Sequence, residues 1–260
     1  MRISRLLPGL ALCFSLYQVS AQSPNVQVPD WALPGSATHK QVPPPLDFHR
    51  PTKTTNKALG LFQGQSDVGS ALAPGASSYN ASNGQYTLVS AGYNIWYQRD
   101  EFRYVWKKMS GDVSLATDVA FPDADGYNDR KAVLVIRQNL DDDSKEAVVA
   151  LHGAGLIHLA WRPDKNQQMQ EVRVNHRKDH TTDSLNTGLA KRIGIQKQGD
   201  TFTVWISMHG EPMHQVGEPV QLHIDAPFYV GIGFCSHLPA TTDTAILSNV
   251  LLKNAAGAVK

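Results

Sequence analysis

The run from Phe228 to His237 (Phe-Tyr-Val-Gly-Ile-Gly-Phe-Cys-Ser-His) constrains the fold more than any other stretch of the chain. Side chains alternate across a strand with period two. Phe228, Val230, Ile232 and Phe234 therefore face one way; Tyr229, Gly231, Gly233, Cys235 and His237 face the other. The first row is bulky and apolar and has to pack a core. The second sets two glycines between larger residues and reads as a trough kept open between Tyr229 and His237. On this reading Gly233→Val fills the trough and stays folded while losing ligand; if the glycines are merely tolerated strand residues, valine, with its higher β-propensity, is neutral or mildly stabilising. A polar turn then leads into a second apolar strand at 244–252. A sheet packed on one face and hollowed on the other predicts a curved β-sandwich with a groove.

The rest of the sequence repeats the strand signal. Alternating or apolar runs bounded by turn residues fall at 85–90, 94–97, 101–109, 112–121, 131–138, 146–151, 155–161, 192–197, 201–208 and 220–224. No stretch keeps a helical period. Among the 23 acidic residues, eighteen Asp stand against five Glu, a bias towards turns and strand ends rather than helices. The fold class expected is all-β, a jelly-roll β-sandwich of two antiparallel sheets. No internal repeat is visible, which excludes propellers and solenoids. The polar, basic stretch 164–186 reads as a long loop.

The N-terminus has the form of a secretory signal: Arg2 and Arg5, an apolar stretch over 6–16, and small residues at Val19 and Ala21. The expected organisation is a signal peptide at 1–21, a proline-rich strap at 22–58 and a β-sandwich at 59–255. The location expected is secreted or periplasmic, with no transmembrane segment in the mature chain. Cleavage before Gln22 removes Cys13 and leaves Cys235 alone, so no internal disulfide forms. A lone cysteine in a strand reads as a small buried hydrophobe. The formal net charge of +1 gives no basis for a nucleic-acid partner.

Strand alternation also sorts candidate binding residues. Over 131–137, Ala132, Leu134 and Ile136 form an inner row, and Val133, Val135 and Arg137 an outer one. Over 155–162, His158 and Arg162 fall outside. Arg137, His158 and Arg162 on one face would offer donors to hydroxyls or carboxylates, or form a salt-bridged sheet face. Asn94 and Trp96 alternate apart from the row Phe102, Tyr104, Trp106 and would reach the groove, the amide towards hydroxyls and the indole towards sugar C–H faces. His237 closes the trough. Trp205, between Thr203 and Ser207, is a further flat surface for a ligand or for an overlying loop. Asp123, Asp125 and Asn128 alternate around Gly126 as calcium ligands do; an Asx/Gly turn accounts for the same residues. The pairs His176/His180 and His209/His214 have spacings a metal would use only on suitable elements.

An ordered set of motifs carries a family resemblance: Ala91-Gly-Tyr-Asn-Ile-Trp96, Phe102-Arg-Tyr-Val-Trp106, Ser110-Gly-Asp-Val113, Val135-Ile-Arg-Gln-Asn-Leu-Asp-Asp142 and Tyr229-Val-Gly-Ile-Gly-Phe-Cys-Ser-His237. Over roughly 59–252 the chain resembles secreted bacterial concanavalin A-like proteins, some labelled "regulation of enolase protein" and closer ones Tol biopolymer transporter-like. The resemblance implies a lectin/glucanase-type jelly roll with a carbohydrate-facing role. Glycosidases of that superfold share a Glu-x-Asp-x-(x)-Glu strand. None of Glu101, Glu146, Glu171, Glu211 and Glu218 has Asp two positions on, so that acid–nucleophile pair is missing. The leading expectation is an exported, non-catalytic glycan-binding sandwich. Its groove would be lined by Asn94, Trp96, Arg137, His158, Arg162 and His237. The alternatives are a carbohydrate-active enzyme with a noncanonical site, or an envelope protein-interaction module.

Overall fold

The computed structural model describes residues 50–174 and 190–260. The expected signal peptide, most of the expected strap and the His176/His180 pair lie outside the described residues. Seventeen strands follow one another: β1 (Lys53–Thr55), β2 (Gly64–Val68), β3 (Ala76–Asn80), β4 (Gln85–Ser90), β5 (Ile95–Trp96), β6 (Arg99–Asp100), β7 (Phe102–Met109), β8 (Val113–Ala120), β9 (Lys131–Arg137), β10 (Glu146–His152), β11 (Ile157–Arg162), β12 (Gln170–Arg173), β13 (Arg192–Gln198), β14 (Thr201–Ser207), β15 (His214–Gln221), β16 (Phe228–Cys235) and β17 (Asp243–Lys253). They form an eight-stranded sheet, β1-β2-β7-β16-β9-β10-β11-β12, and a seven-stranded sheet, β15-β14-β13-β8-β17-β4-β3, with β5-β6 as a separate hairpin. All pairings are antiparallel. The architecture is the expected jelly-roll sandwich. Among the described residues no helix is long and apolar enough to cross a membrane.

The main core lies between the sheets. Ala132, Leu134 and Ile136 of β9 and Val230, Ile232 and Phe234 of β16 meet Leu115, Ile193, Ile195, Val204 and Leu247 of the facing sheet. The β9 and β16 residues are the inner rows that alternation assigned. The strands β16 and β17 do not pair with each other; the chain crosses from one sheet to the other between them. Strands with weak apolar content escaped the sequence: β1 and β2, β3, β12, and most of β15. Two of them fall inside stretches read as strap and as loop. Lys53–Thr55 pairs with β2 at the sheet edge, and Gln170–Arg173 pairs with β11.

The outer face of the larger sheet differs from the expectation. The glycines of β16 do not hold a trough open. Val68, Phe102, Tyr104, Trp106, Val133, Val135, Val148, Ala150, Ala160 and Cys235 form a second apolar cluster there, covered by Ile95, Trp96, Leu140 and Met169. Register places Gly233 beside Tyr104 and Gly231 beside Trp106. The Tyr104 ring crosses strand β16, and its hydroxyl donates to the Val135 carbonyl of β9 at 3.1 Å. A Cβ on Gly231 would lie 2.0 Å from the Val105 carbonyl oxygen, and one on Gly233 2.8 Å from Phe102 Cδ2. Gly231 is bare because the backbone of the neighbouring strand and the Tyr104 ring close over it, and Gly233 because the Phe102 ring does. Cys235, fully buried, points its thiol at the Gly92 carbonyl at 3.2 Å.

Gly233→Val is therefore expected to destabilise the protein, not to leave it intact. Overpacking at this site should cost about 2–3 kcal/mol despite the better β-propensity of valine. Urea denaturation followed by tryptophan fluorescence checks this; a midpoint equal to wild type would mean that the aromatic cover yields freely.

Candidate functional site

Six outward-facing residues were singled out from sequence, and the fold separates them into two groups. Arg137 and Arg162 sit at one end of the outer face, and neither side chain has any exposure. Cross-strand register brings Arg137, Glu146 and Arg162 into one row. Asp100, arriving from the β5–β6 hairpin, completes the set. Arg162 holds Asp100 through Nη2–Oδ1 at 2.7 Å and Nη1–Oδ2 at 3.0 Å, and reaches Glu146 Oε1 at 3.0 Å. Arg137 approaches Asp100 at 3.4 Å and Glu146 at 3.5 Å. Burial, with the Asp100 charge beside it, pushes the Glu146 carboxyl up to about 8. These arginines are spent on a buried ion network that fastens the hairpin to the sheet. In this structure they present no donor to a ligand, which corrects the expectation of an open groove face.

The other four residues converge at the opposite end. Lys131 of β9 and His152 of β10 lie directly across from each other on the outer face. His158 stands one strand further over, on β11. The imidazoles of His152 and His158 meet edge to face at 5.1 Å. His158 lies parallel to the Trp96 indole at 5.5 Å, and its Nδ1 is 2.9 Å from Glu171 Oε2. With that carboxylate ionised, Nδ1 carries the proton and donates. Asn94 Oδ1 accepts from the Lys131 ammonium and from the Ile95 amide. His237 takes φ 65, an uncommon conformation for a non-glycine residue. Ser236 secures that turn, donating to the Thr241 carbonyl at 2.8 Å and accepting from the Leu238 amide at 3.0 Å. The His237 ring stacks on Tyr127 at 5.3 Å.

Lys131, His152, Tyr127, Asp129 and Glu171 belong to the site and were missed. The signal for Lys131 was present, since it falls on the same alternating row as Val133, Val135 and Arg137. His152 read as the start of a turn, and Glu171 as part of a loop. Trp96, Tyr127, Asp129, Ala154 and Glu171 are half-buried and form the rim, while Asn94, Lys131, His152, His158 and His237 are buried beneath them. His152 Nδ1 stands 3.7 Å from Asp129 Oδ1, beyond hydrogen-bond range. Neither ring nitrogen of His152 has a hydrogen-bond partner.

The calcium candidates lie in the loop next to this rim. Asp123 accepts the Asp125 amide at 2.9 Å, the Asx turn that the sequence also allowed. Arg130 occupies the loop, donating to the Asp123 carbonyl at 2.6 Å and to Asp243 at 2.8 Å. Asn128 contributes its carbonyl to the Ala154 amide. Among the described residues no three His, Cys, Asp or Glu side chains gather as metal ligands. Trp205 sits half-buried on the other sheet, its Nε1 donating to Thr203 at 3.0 Å. Met213 and Val259 from the loop and C-terminal tail fill the space over Gly194 beside it.

Burial, aided by the Lys131 charge, pushes His152 down to about 3. In the unfolded chain the imidazole titrates near 6.5. Below that pH the unfolded state takes a proton that the folded state refuses. The contribution is whole above pH 6.5 and is lost progressively as the pH falls towards 3. Between pH 7 and 4.5 this group alone should remove on the order of 3 kcal/mol of stability. His152→Gln should flatten the pH dependence of the urea midpoint by that amount over the same interval; an unchanged slope would place the acid sensitivity in other groups.

No protein-family model matches the chain, and no curated protein matches it in sequence. Solved structures do resemble it. A functionally unknown protein from Saccharomyces cerevisiae superposes with a TM-score of 0.53 at 13% identity, over 79% of this chain and 97% of that one. An alginate lyase from Klebsiella pneumoniae gives a TM-score of 0.45 at 13% identity, over 69% and 84%. The carbohydrate-binding module CBM66 from Bacillus subtilis gives 0.41 at 13%, over 69% and 92%. At this identity the likeness to the yeast protein is one of fold, and the two lower scores carry no conclusion about this chain's ligand.

Proposed function

We propose that this protein binds a glycan at the rim formed by Trp96, Tyr127, Asp129, Ala154 and Glu171. The observation that carries the reading is the convergence of Asn94 and Trp96, His158 and His237, from three separate parts of the chain, into one cluster. Two partly exposed aromatic rings, Trp96 and Tyr127, each backed by a stacked imidazole, suit the flat C–H faces of pyranose rings. The polar groups below them suit hydroxyls. The buried network at Asp100 supports the reading because it fixes the hairpin that carries Asn94 and Trp96.

A second reading is favoured by one feature. His152 beside Asp129 and His158 on Glu171 are two imidazole–carboxylate pairs in ring contact, the kind of pairing used for proton transfer. The protein would then be a carbohydrate-active enzyme with a noncanonical site. Screening the mature chain against a glycan array and a set of polysaccharides separates the two, since binding with unchanged chain length favours the first and shortened products the second. In the binding reading, Trp96→Ala should lower affinity for the selected glycan about ten- to a hundredfold with the circular dichroism spectrum unchanged. Affinity equal to wild type would remove this rim as the site.

We also propose that the protein is exported, on the strength of its N-terminal signal pattern. Exported material should begin at Gln22 by N-terminal sequencing; an intact Met1 would exclude export by this route.

A further inference from the structure

Lys131 is out of keeping with its surroundings. It is 3% exposed, and its neighbours along the outer row of its strand are the apolar Val133 and Val135, with Arg137 at the far end. Its ammonium donates to a neutral acceptor, Asn94 Oδ1. Among the described residues no carboxylate comes within 4.0 Å of it; the nearby acids are engaged elsewhere, Asp129 facing His152, Glu171 on His158, Glu101 on Arg50 and Asp100 on Arg162. Buried cations are normally paired, because desolvation of an isolated ammonium is costly. Replacement by methionine would fill the same volume in this apolar face at no such cost. Directly across the strand pair lies His152, also buried, with both ring nitrogens unpartnered. One cation lacking an anion and one imidazole lacking a hydrogen-bond partner thus share one floor.

We propose that Lys131 and His152 form an acid-sugar subsite, in which Lys131 receives the carboxylate of a uronic acid residue and His152 accepts a hydroxyl of the same ring. The proposal rests on the glycan reading above and narrows its ligand class. The His152 proton belongs on Nδ1, towards Asp129 at 3.7 Å, which leaves Nε2 as an acceptor. An acceptor beside an ammonium suits a ligand offering a carboxylate and a hydroxyl on adjacent positions. It suits sulfate or phosphate esters less well, because their tetrahedral groups bring acceptor oxygens to both Lys131 and the His152 acceptor nitrogen, and a phosphate ester adds a second negative charge. The monovalent carboxylate matches the single charge of the Lys131 ammonium, and the Trp96 and Tyr127 rings at the rim would hold the sugar ring that carries it. Lys131→Met and His152→Phe both keep the packing volume.

The test is isothermal titration of the full mature protein with oligosaccharides of gluco-, galacto-, manno- and guluronate. Each is compared with its carboxyl-reduced neutral form and with a sulfated neutral oligosaccharide. At least one uronate should bind about ten- to a hundredfold more tightly than its reduced form, the range of a hydrogen bond to a charged group. Lys131→Met should bring the ratio of acidic to reduced affinity down to about one, whatever it does to the affinity overall, and Lys131→Arg should restore part of that ratio. His152→Phe should weaken acidic and reduced forms alike. Equal binding of acidic and reduced forms by wild type overturns the subsite and leaves the glycan reading standing. Tighter binding of the sulfated sugar overturns the carboxylate assignment. Absence of binding to every sugar overturns both readings. Should Lys131→Met fail to fold, the wild-type comparison of acidic with reduced ligand still decides.

Discussion

Asp100 has no contact with solvent, yet it carries a charge into the protein on a hairpin of two-residue strands. Arg162 grips it through two nitrogens, and Arg137 approaches both Asp100 and Glu146. Such a network contributes little net stability, because desolvation offsets most of the attraction. Its effect is geometric. Breaking it by removing one partner would leave an uncompensated buried charge, a penalty of about 3–5 kcal/mol. The hairpin can therefore rest in one place only. Ile95 is pressed onto the apolar outer face, Met169 is bonded to the Tyr97 carbonyl, and Asn94 and Trp96 are delivered to the other end.

That placement explains why the larger sheet has two cores rather than one. Its inner face packs against the second sheet, as in any sandwich. Its outer face, bearing Val133, Val135, Val148, Ala150 and Ala160, would otherwise meet water. The hairpin, Leu140 and Met169 cover it, and the rings of Tyr104 and Phe102 fill the space that the β16 glycines leave. An open lectin-like trough along the whole face is thereby excluded. At one end of this face Trp96 and Tyr127 stay half-exposed.

The chemistry at that end follows from its burial. Imidazole in an apolar, cation-bearing setting stays neutral, so His152 is held in its unprotonated form far below its ordinary range. Lys131 is pushed down by the same burial. Cys235, one position along the sheet, is driven up to about 12 and stays a thiol, which agrees with its reading as a small hydrophobe. A neutral His152, the buried Lys131 ammonium and the carboxylates of Asp129 and Glu171 thus lie within one cluster.

The strand pattern was legible in the sequence because alternation depends only on local geometry. The inner rows of β9, β11, β14 and β16 and the choice of an all-β sandwich needed nothing more. Asn94, Trp96, His158 and His237 were legible as outward polar or aromatic residues for the same reason. Alternation states which way a side chain points and is silent about what lies in that direction. It put Arg137 and Arg162 on the outer face correctly and could not show Asp100 arriving from another segment to bury them. It marked Gly231 and Gly233 as bare and could not show Tyr104 crossing over them. Those outcomes depend on contacts between residues distant in sequence, 62 positions apart for Arg162 and Asp100 and 31 for Tyr104 and Val135. Only the tertiary fold pairs such residues, and in this protein it decided which polar groups became structural and which remained at the site.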